Sequence, residues 1–301
     1  MIKVQNFLII GYGSSGKRYS KIISKLKSKK KIYVFSKQKH NFYKIKDLKE
    51  IKQIKFDLVI ICNETAKHFK TLKIVDKYLN NSKILVEKPL FSKMSKFIPK
   101  NNKVFVGYNL RFDPIIEYLK KKLKKEQVSY INLNCLSYLP NWRKNINYKK
   151  SYSSDSRRGG GVTNDLSHEI DLANYLVGIN KIRFAVKSKV SNLEIKADDF
   201  SQFVGETRNG SPIIINLGFF FQIEKRFIFI KTLFKSYMAS LDERKIIEKS
   251  NKSQIVKYFK IKNNFTYLKM TESILKNKNN KCCDYDQGLK ISKIISKYKK
   301  L

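Results

Sequence analysis

Over the first hundred residues, short apolar runs alternate with amphipathic stretches. Residues 6–10, 32–36, 58–62, 83–86 and 104–106 are rich in Ile, Val, Leu and Phe. Short runs of this kind, with little polar alternation, predict strands buried on both faces. Residues 15–26 and 68–79 read as helices, with Leu72, Val75 and Leu79 on one side of the second. Strands separated by helices of this length predict βαβ units and a parallel sheet.

The pattern changes after Arg111. A helix is predicted over 114–123. Strands then become longer and alternating, at 128–139, 182–190, 200–207, 211–221, 227–233 and 237–241. Arg208-Asn209-Gly210 lies between two of them, and Asn-Gly is a hairpin signal because both residues tolerate positive φ. Helical patterns at 165–176, 265–275 and 287–298 complete this half. The expected fold class is α/β in the N-terminal part, a parallel-sheet nucleotide-binding domain over 1–117. An α+β domain with a mostly antiparallel open sheet is expected over 118–301.

Composition narrows the class. With 301 residues, 42% of them hydrophobic and 13% aromatic, the chain can bury a large core, which excludes a disordered tail and a disulfide-stapled miniprotein. The early apolar run Phe7-Leu8-Ile9-Ile10 is too short for a signal-peptide core or a membrane span. Cys62, Cys135, Cys282 and Cys283 show no C-x-x-C spacing, so a reduced cytoplasmic protein without a metal site is expected. The net charge of +40 first suggests nucleic acid. Yet 55 of the 64 basic residues are lysine, spread among Ile, Asn, Tyr and Phe, which share A/T-rich codons. Base-reading proteins favour Arg for its planar fork. The charge therefore reads as compositional bias that draws in anionic substrates, and no specific nucleic-acid partner is expected.

Gly11-Tyr12-Gly13-Ser14-Ser15-Gly16 follows a predicted strand and opens a helix. In that context Gly11 permits the tight turn, Gly13 the approach of a pyrophosphate, and Gly16 close helix–strand packing. The helix start at Ser14 and Ser15 then offers N–H groups to phosphates. A dinucleotide is the expected cofactor. NAD binders usually carry a carboxylate about 20 residues on. Here Ser36 and Lys37 stand there, with Lys39 beyond, which favours NADP over NAD. The loop after residue 62 places Asn63 and His68 on the nicotinamide side, unless Thr65 serves only to cap the following helix. Glu87-Lys88-Pro89 closes another core strand, where a lysine can reach a substrate hydroxyl. In the stretch from Gly159 to Asp171, three glycines precede Asp165, His168 and Asp171, each three apart and so on one helix face. A carboxylate one turn from a histidine can orient the ring for proton transfer.

Assembled, these residues make the sequence resemble the glucose–fructose oxidoreductase / inositol dehydrogenase / MocA family over essentially its whole length. The motifs that carry the resemblance are the glycine turn at 11–16, Glu87-Lys88-Pro89, Gly107-Tyr108-Asn109-Leu110-Arg111-Phe112, and the segment at 159–171. The resemblance implies a Rossmann domain followed by an open-sheet domain that often mediates oligomerisation, and hence a homo-oligomer. It also implies an NAD(P)-dependent oxidoreductase acting on a sugar or related polyol held between the domains. Lys88 and His168 would manage the proton of the reacting hydroxyl, and Asp165 would bind or orient substrate. Glu87 stands with the cofactor contacts, and Arg111, Trp142, Arg157 and Asp171 with the substrate contacts. The spacing Asp165-Leu166-Ser167-His168 is one residue shorter than the family's Asp-x-x-x-His, which leaves the roles of Asp165 and Asp171 open. Leu-Ser-His-Glu-Ile-Asp, Trp142-Arg143, Tyr148 and Ser151-Tyr152-Ser153 are similar to a subgroup associated with surface-polysaccharide and nonulosonic acid gene clusters. A nucleotide sugar is then the expected substrate. Arg143, Arg157 and Arg158 are candidate phosphate or carboxylate contacts, or else members of a basic surface loop. An NAD-dependent glycosidase and a non-catalytic dinucleotide-sensing protein are the alternatives within this fold.

Overall fold

The computed structural model describes residues 4–95, 97–143 and 146–297. Tyr298, the end of the last expected helix, lies outside them. The chain divides into two compact units, Met1–Asn109 with Asn264–Lys293, and Leu110–Asn263 with the residues from Ile294 on. A single cut after residue 117 differs from this division, because the chain returns to the first unit after leaving it.

The first unit begins with β1 (Gln5–Ile10), α1 (Ser14–Ser24), β2 (Lys30–Phe35), β3 (Tyr43–Lys44), β4 (Leu58–Ile61), α2 (Thr65–Tyr78), β5 (Lys83–Val86) and β6 (Lys103–Val106). β1 pairs in parallel with β2 on one side and β4 on the other. β5 and β6 extend the sheet beyond β4, also in parallel. Strand order thus reverses between β1 and β4, the place where open parallel sheets hold ligands at their carboxyl ends. Phe7 to Ile10 and Leu58 to Ile61 are at most 1% exposed, which explains their unbroken apolar runs. The edge strand β3 has no such run. It is held by pairing with β2 and by Tyr43 stacked on Tyr33 at 5.1 Å.

The second unit holds α3 (Pro114–Leu123), β7 (Val128–Tyr138), α4 (Val162–Asp165), α5 (His168–Leu176), β8 (Ile179–Ser188), β9 (Phe200–Thr207), β10 (Pro212–Gly218), β11 (Phe220–Thr232), β12 (Lys235–Ser240), β13 (Lys245–Ser250) and β14 (Gln254–Tyr258). The strands form one eight-stranded sheet in the order β14-β13-β12-β11-β7-β10-β9-β8. Only β7 and β10 run parallel; the other neighbours are antiparallel. The expected β9–β10 hairpin forms, with Gly210 at φ +81° and its N–H bonded to the Thr207 carbonyl at 3.0 Å. Gly210 alone takes the left-handed conformation, so Asn209 uses none of its tolerance for it. The strands expected at 211–221 and 227–233 are redrawn. β10 stops at Gly218, and β11 runs from Phe220 with a register shift before Lys225. β13 and β14 were not legible because lysines interrupt their apolar residues and β14 is exposed throughout.

One face of this sheet is the core: Ile131, Leu133, Phe203, Ile213, Ile215, Leu217, Ile228, Ile230, Tyr237 and Ala239 are buried there. α5 packs on β7 and β10, and α4 on β9 and β10. The opposite face carries a continuous cross-strand row, Phe184–Val204–Ile214–Asn132–Phe229–Met238–Ile247–Val256. Every member is half-buried or exposed and none is charged.

The chain then adds α6 (Phe265–Leu275), β15 (Cys283–Asp284) and α7 (Tyr285–Ser296). β15 pairs antiparallel with β6 in the first unit's sheet. A Cβ on Gly288 would stand 2.3 Å from Val106 Cγ2, so α7 meets β6 at glycine distance. Among the described residues, no helix is long and apolar enough to cross a membrane.

Candidate active site

The glycine turn joins β1 to α1 at the reversal of strand order. Gly11 has φ +96°, and a Cβ there would lie 2.6 Å from the Asn63 amide nitrogen. A Cβ on Gly16 would lie 2.2 Å from the Gly11 carbonyl oxygen. The protein's own packing requires both glycines. Gly13 is different. Its φ is −71°, and a Cβ there would meet nothing within 4 Å. Backbone is left bare at Gly13 for no reason internal to the fold. Gly13 is also the N-cap of α1, which has no side-chain cap and no acidic residue in its first turn. The opening N–H groups at Ser14, Ser15 and Gly16 and the positive helix end suit an anionic group.

The loop after β2 folds back on this turn. Tyr12 packs edge-on against His40 at 5.5 Å and Phe42 at 6.0 Å. Ser36 Oγ accepts a hydrogen bond from the Gln38 N–H at 3.1 Å, while Lys37 and Lys39 are exposed. Residues 36–42 contain no carboxylate.

At the ends of β4 and β5 the expected contacts separate. Asn63 lies against Gly11 and donates through Nδ2 to Thr71 Oγ1 at 2.9 Å. Its Oδ1 is buried without a hydrogen-bond partner, an acceptor that suits an amide donor. His68 links two loops of the first unit. It is buried, and its ring nitrogens face the carbonyls of Pro89 and Asn63, each at 3.1 Å. Burial pushes its pKa down, against the pull of those carbonyls. Thr65 does not cap α2, whose N-cap is Glu64. Glu87 is also held within the first unit. Its carboxylate is buried and accepts from the Tyr19 hydroxyl at 2.6 Å. Burial pushes the Glu87 pKa up, opposed by that bond and by the Lys88 charge. Gly107 makes room for this carboxylate, since a Cβ there would lie 3.1 Å from Glu87 Oε1. Lys88 itself remains half-buried at the carboxyl edge of the sheet.

In the second unit, the helix expected over 165–176 is broken. α4 ends at Asp165, Leu166 and Ser167 turn, and α5 starts at His168. The three positions therefore do not share one helix face. Of residues 159–173, only Asp165 and His168 are not buried. Asp171 points elsewhere. Its Oδ2 accepts from Arg111 Nε at 2.9 Å and its Oδ1 from Arg111 Nη2 at 2.5 Å. Both residues are 1% exposed, and the guanidinium lies 4.9 Å from the Tyr175 ring centroid. Arg111 and Asp171 thus form a buried lock between α5 and the turn preceding α3. Trp142 is spent on packing against Phe219 at 4.9 Å. Arg157 is exposed and clasps Asp155 through two bonds of 3.1 and 3.0 Å. Arg143 is exposed, and Arg158 lies 6.0 Å from the Tyr152 ring.

Sequence reasoning missed three supports of these residues, one in the first unit and two in the second. Tyr19 holds Glu87. Arg226 of β11 donates to Glu169 of α5 at 2.7 Å. Asp198 receives Thr163 N–H at 2.9 Å and Thr163 Oγ–H at 2.6 Å where α4 begins. The paired aspartates Asp198-Asp199 at the head of a strand were the available signal.

No family model and no curated protein matches the chain. Solved structures do. The WlbA dehydrogenase of Bordetella pertussis, solved in complex with NADH and UDP-GlcNAcA, aligns with a TM-score of 0.76 and 14% identity, covering 98% of this chain and 95% of that one. A levoglucosan dehydrogenase in complex with NADH and levoglucosan gives 0.81 and 15%, covering 97% and 95%. A super-repressor mutant of Gal80p from Saccharomyces cerevisiae gives 0.77 and 14%, covering 97% and 94%. The chain has the two-domain fold of the glucose–fructose oxidoreductase / inositol dehydrogenase / MocA family, and its structural neighbours include dehydrogenases of that type.

The Arg111–Asp171 assignment has a direct check. Asp171→Ala leaves a buried guanidinium unpaired and is expected to lose about 3–5 kcal/mol in urea unfolding, whereas Arg111→Met with Asp171→Leu recovers most of it. Full stability in the single variant would return Asp171 to the list of substrate contacts.

Proposed function

We propose that this protein is a nicotinamide-dependent oxidoreductase acting on a hydroxyl-bearing carbon of a sugar or nucleotide sugar. The observation that carries this reading is Gly13. It is a glycine that the fold does not need, at an uncapped helix start beside a buried acceptor on Asn63. A dinucleotide fits these residues: its pyrophosphate would lie on the Gly13, Ser14, Ser15 and Gly16 N–H groups. When bound, the nicotinamide supplies or accepts a hydride. Ser36, Lys37 and Lys39, with no carboxylate beside them, support NADP over NAD, because a carboxylate would repel a 2′-phosphate.

Lys88 and His168 are assigned to the hydroxyl proton. In oxidation one of them takes it, and in reduction it returns. Asp165, half-buried like His168 and three residues before it, is assigned to binding substrate hydroxyls or setting the imidazole. The dehydrogenases among the structural neighbours, in complex with NADH and a nucleotide sugar or an anhydrosugar, support this substrate class. A transcriptional regulator, Gal80p, among the structural neighbours favours a second reading, a non-catalytic regulator, which here would sense a dinucleotide through the Gly13 turn. A place in surface-polysaccharide synthesis and in the cytoplasm belongs to the same proposal. So does self-association. A row of eight uncharged positions on an open sheet, in a chain of net charge +40, suits a second copy of this chain.

NADPH is expected to bind more tightly than NADH in fluorescence titrations at moderate salt, and Gly13→Asp to abolish both. Failure of the folded wild type to bind either cofactor would end the oxidoreductase reading. Lys88→Ala and His168→Ala should each keep cofactor affinity and lower turnover of a nucleotide sugar at least ~100-fold. Cofactor binding with no turnover across such substrates would instead favour the regulator. Phe229→Lys should shift a light-scattering mass from a multiple of 35.4 kDa to the single chain. A wild type that is already monomeric rejects the self-association.

A further inference from the structure

Asp198 stands outside the residues assigned to the reaction, yet it holds the segment that presents two of them. It is 7% exposed and heads the strand pairing that begins at Phe200. Its Oδ2 receives both the N–H and the hydroxyl of Thr163, at 2.9 and 2.6 Å. Its backbone carbonyl receives the Val162 N–H at 2.9 Å. Gly161, at φ +113°, is shaped around it: a Cβ there would stand 2.1 Å from Asp198 Oδ1. Lys187 approaches the same oxygen at 3.4 Å. The segment before Asp198 is tied to the same region, through Lys196 N–H to the Ser154 carbonyl at 2.7 Å and Ser156 Oγ to the Lys196 carbonyl at 3.0 Å. Its neighbour Asp199 turns the other way and fixes the loop at Val190 and Ser191 with bonds of 2.7, 3.1 and 2.6 Å.

We infer that Asp198 is a positioning residue that sets the geometry of Asp165 against His168. This rests on the reaction proposed above. The reason is the break between α4 and α5. His168 begins α5, which is anchored by Asp171 to Arg111 and by Glu169 to Arg226. Asp165 ends α4, which is one turn long and begins on Asp198. The two side chains thus hang from different anchors, joined by Leu166 and Ser167. The Leu166 N–H returns to the Val162 carbonyl at 2.9 Å, and Ser167 Oγ to the Asn164 carbonyl at 2.9 Å. A helix running unbroken through both residues would fix their relation by its own hydrogen bonds. Here the relation depends on whether Asp198 holds the first turn in place. Ion pairs on the elements that carry the pair join Lys187 with Asp198, Arg226 with Glu169, and Arg111 with Asp171.

The chain has three histidines, His40, His68 and His168, so each ring can be followed by NMR of histidine-labelled protein and assigned with His40→Gln and His168→Gln. Releasing α4 in Asp198→Ala is expected to move the His168 titration midpoint by about 0.5 pH unit or more. His40 and His68, in the first unit, should not move, and NADPH affinity should stay within about twofold. Asp198→Asn keeps an oxygen that can accept both Thr163 bonds and should move His168 less than Asp198→Ala does. Thr163→Val removes one of those bonds with little change of volume, and it provides the test if Asp198→Ala does not fold. A folded Asp198→Ala or Thr163→Val protein whose His168 signal coincides with that of the wild type overturns the inference. Movement of all three histidines together also overturns it, since that reports general loosening. Absence of both NADPH and NADH binding in the wild type would count against the oxidoreductase reading and leave the His168 result standing.

Discussion

The first unit depends on a backbone approach too close for any side chain. The start of α1 rests on the carbonyl of Gly11, and Gly11 rests on the amide of Asn63, so that three chain segments meet where the strand order reverses. A methyl group at Gly11 or Gly16 would overlap main-chain atoms, and main chain cannot yield as the end of a flexible side chain can. That contact fixes where the helix end points. It also places Asn63, and through the Asn63 carbonyl the ring of His68, which reaches on to Pro89 beside Lys88. The lysine is therefore positioned by a chain of contacts that begins at a glycine.

In the second unit ionic contacts do the comparable work. α5 carries two acidic residues in its first turn, and each meets an arginine from another element. The Arg111–Asp171 pair is fully enclosed and makes two parallel bonds, the geometry in which a guanidinium can repay the cost of leaving water. Breaking such a pair strands a charge in a low-dielectric interior, so the start of α5 has little freedom to shift. His168, the first residue of that helix, inherits this rigidity. Three hydrogen bonds to Asp198 hold α4 from the other direction.

A net charge of +40 does not obscure this arrangement, because almost all of the lysines lie outside it. Where lysine does enter, at Lys88, it stands at the carboxyl edge of a parallel sheet, the position that open α/β sheets offer to ligands. The sheet of the second unit divides similarly. One face is an apolar core under helices. The other is an uncharged row crossing all eight strands, in a chain whose surface is otherwise crowded with positive charge.

Much of this was legible in the residues alone. Buried parallel strands need unbroken apolar runs, and β1, β4, β5 and β6 show them. A turn that admits no side chain needs glycine, and Gly11 and Gly16 declare it. Gly13 reads in the sequence only as part of the glycine fingerprint, and it is the structure that shows a Cβ there would meet nothing within 4 Å. Local rules failed where partners are distant in sequence. Asp171 reads as a third member of a helical face, but it pairs with Arg111, sixty residues away, and burial makes that pairing decisive. Glu87 and His68 read as cofactor contacts, but Tyr19 and two carbonyls claim them. The break between Asp165 and His168 carries no proline or glycine to mark it. β13 and β14 form because a neighbouring strand offers its free edge, not because their own composition asks for it. Sequence by itself determined which segments must be buried and where side chains cannot be tolerated, since those are properties of single residues and short runs. Only the tertiary structure decided which of the charged residues face inward to one another, as Arg111 does to Asp171 and Arg226 to Glu169, because a buried charge is settled by the partner that the fold brings to it.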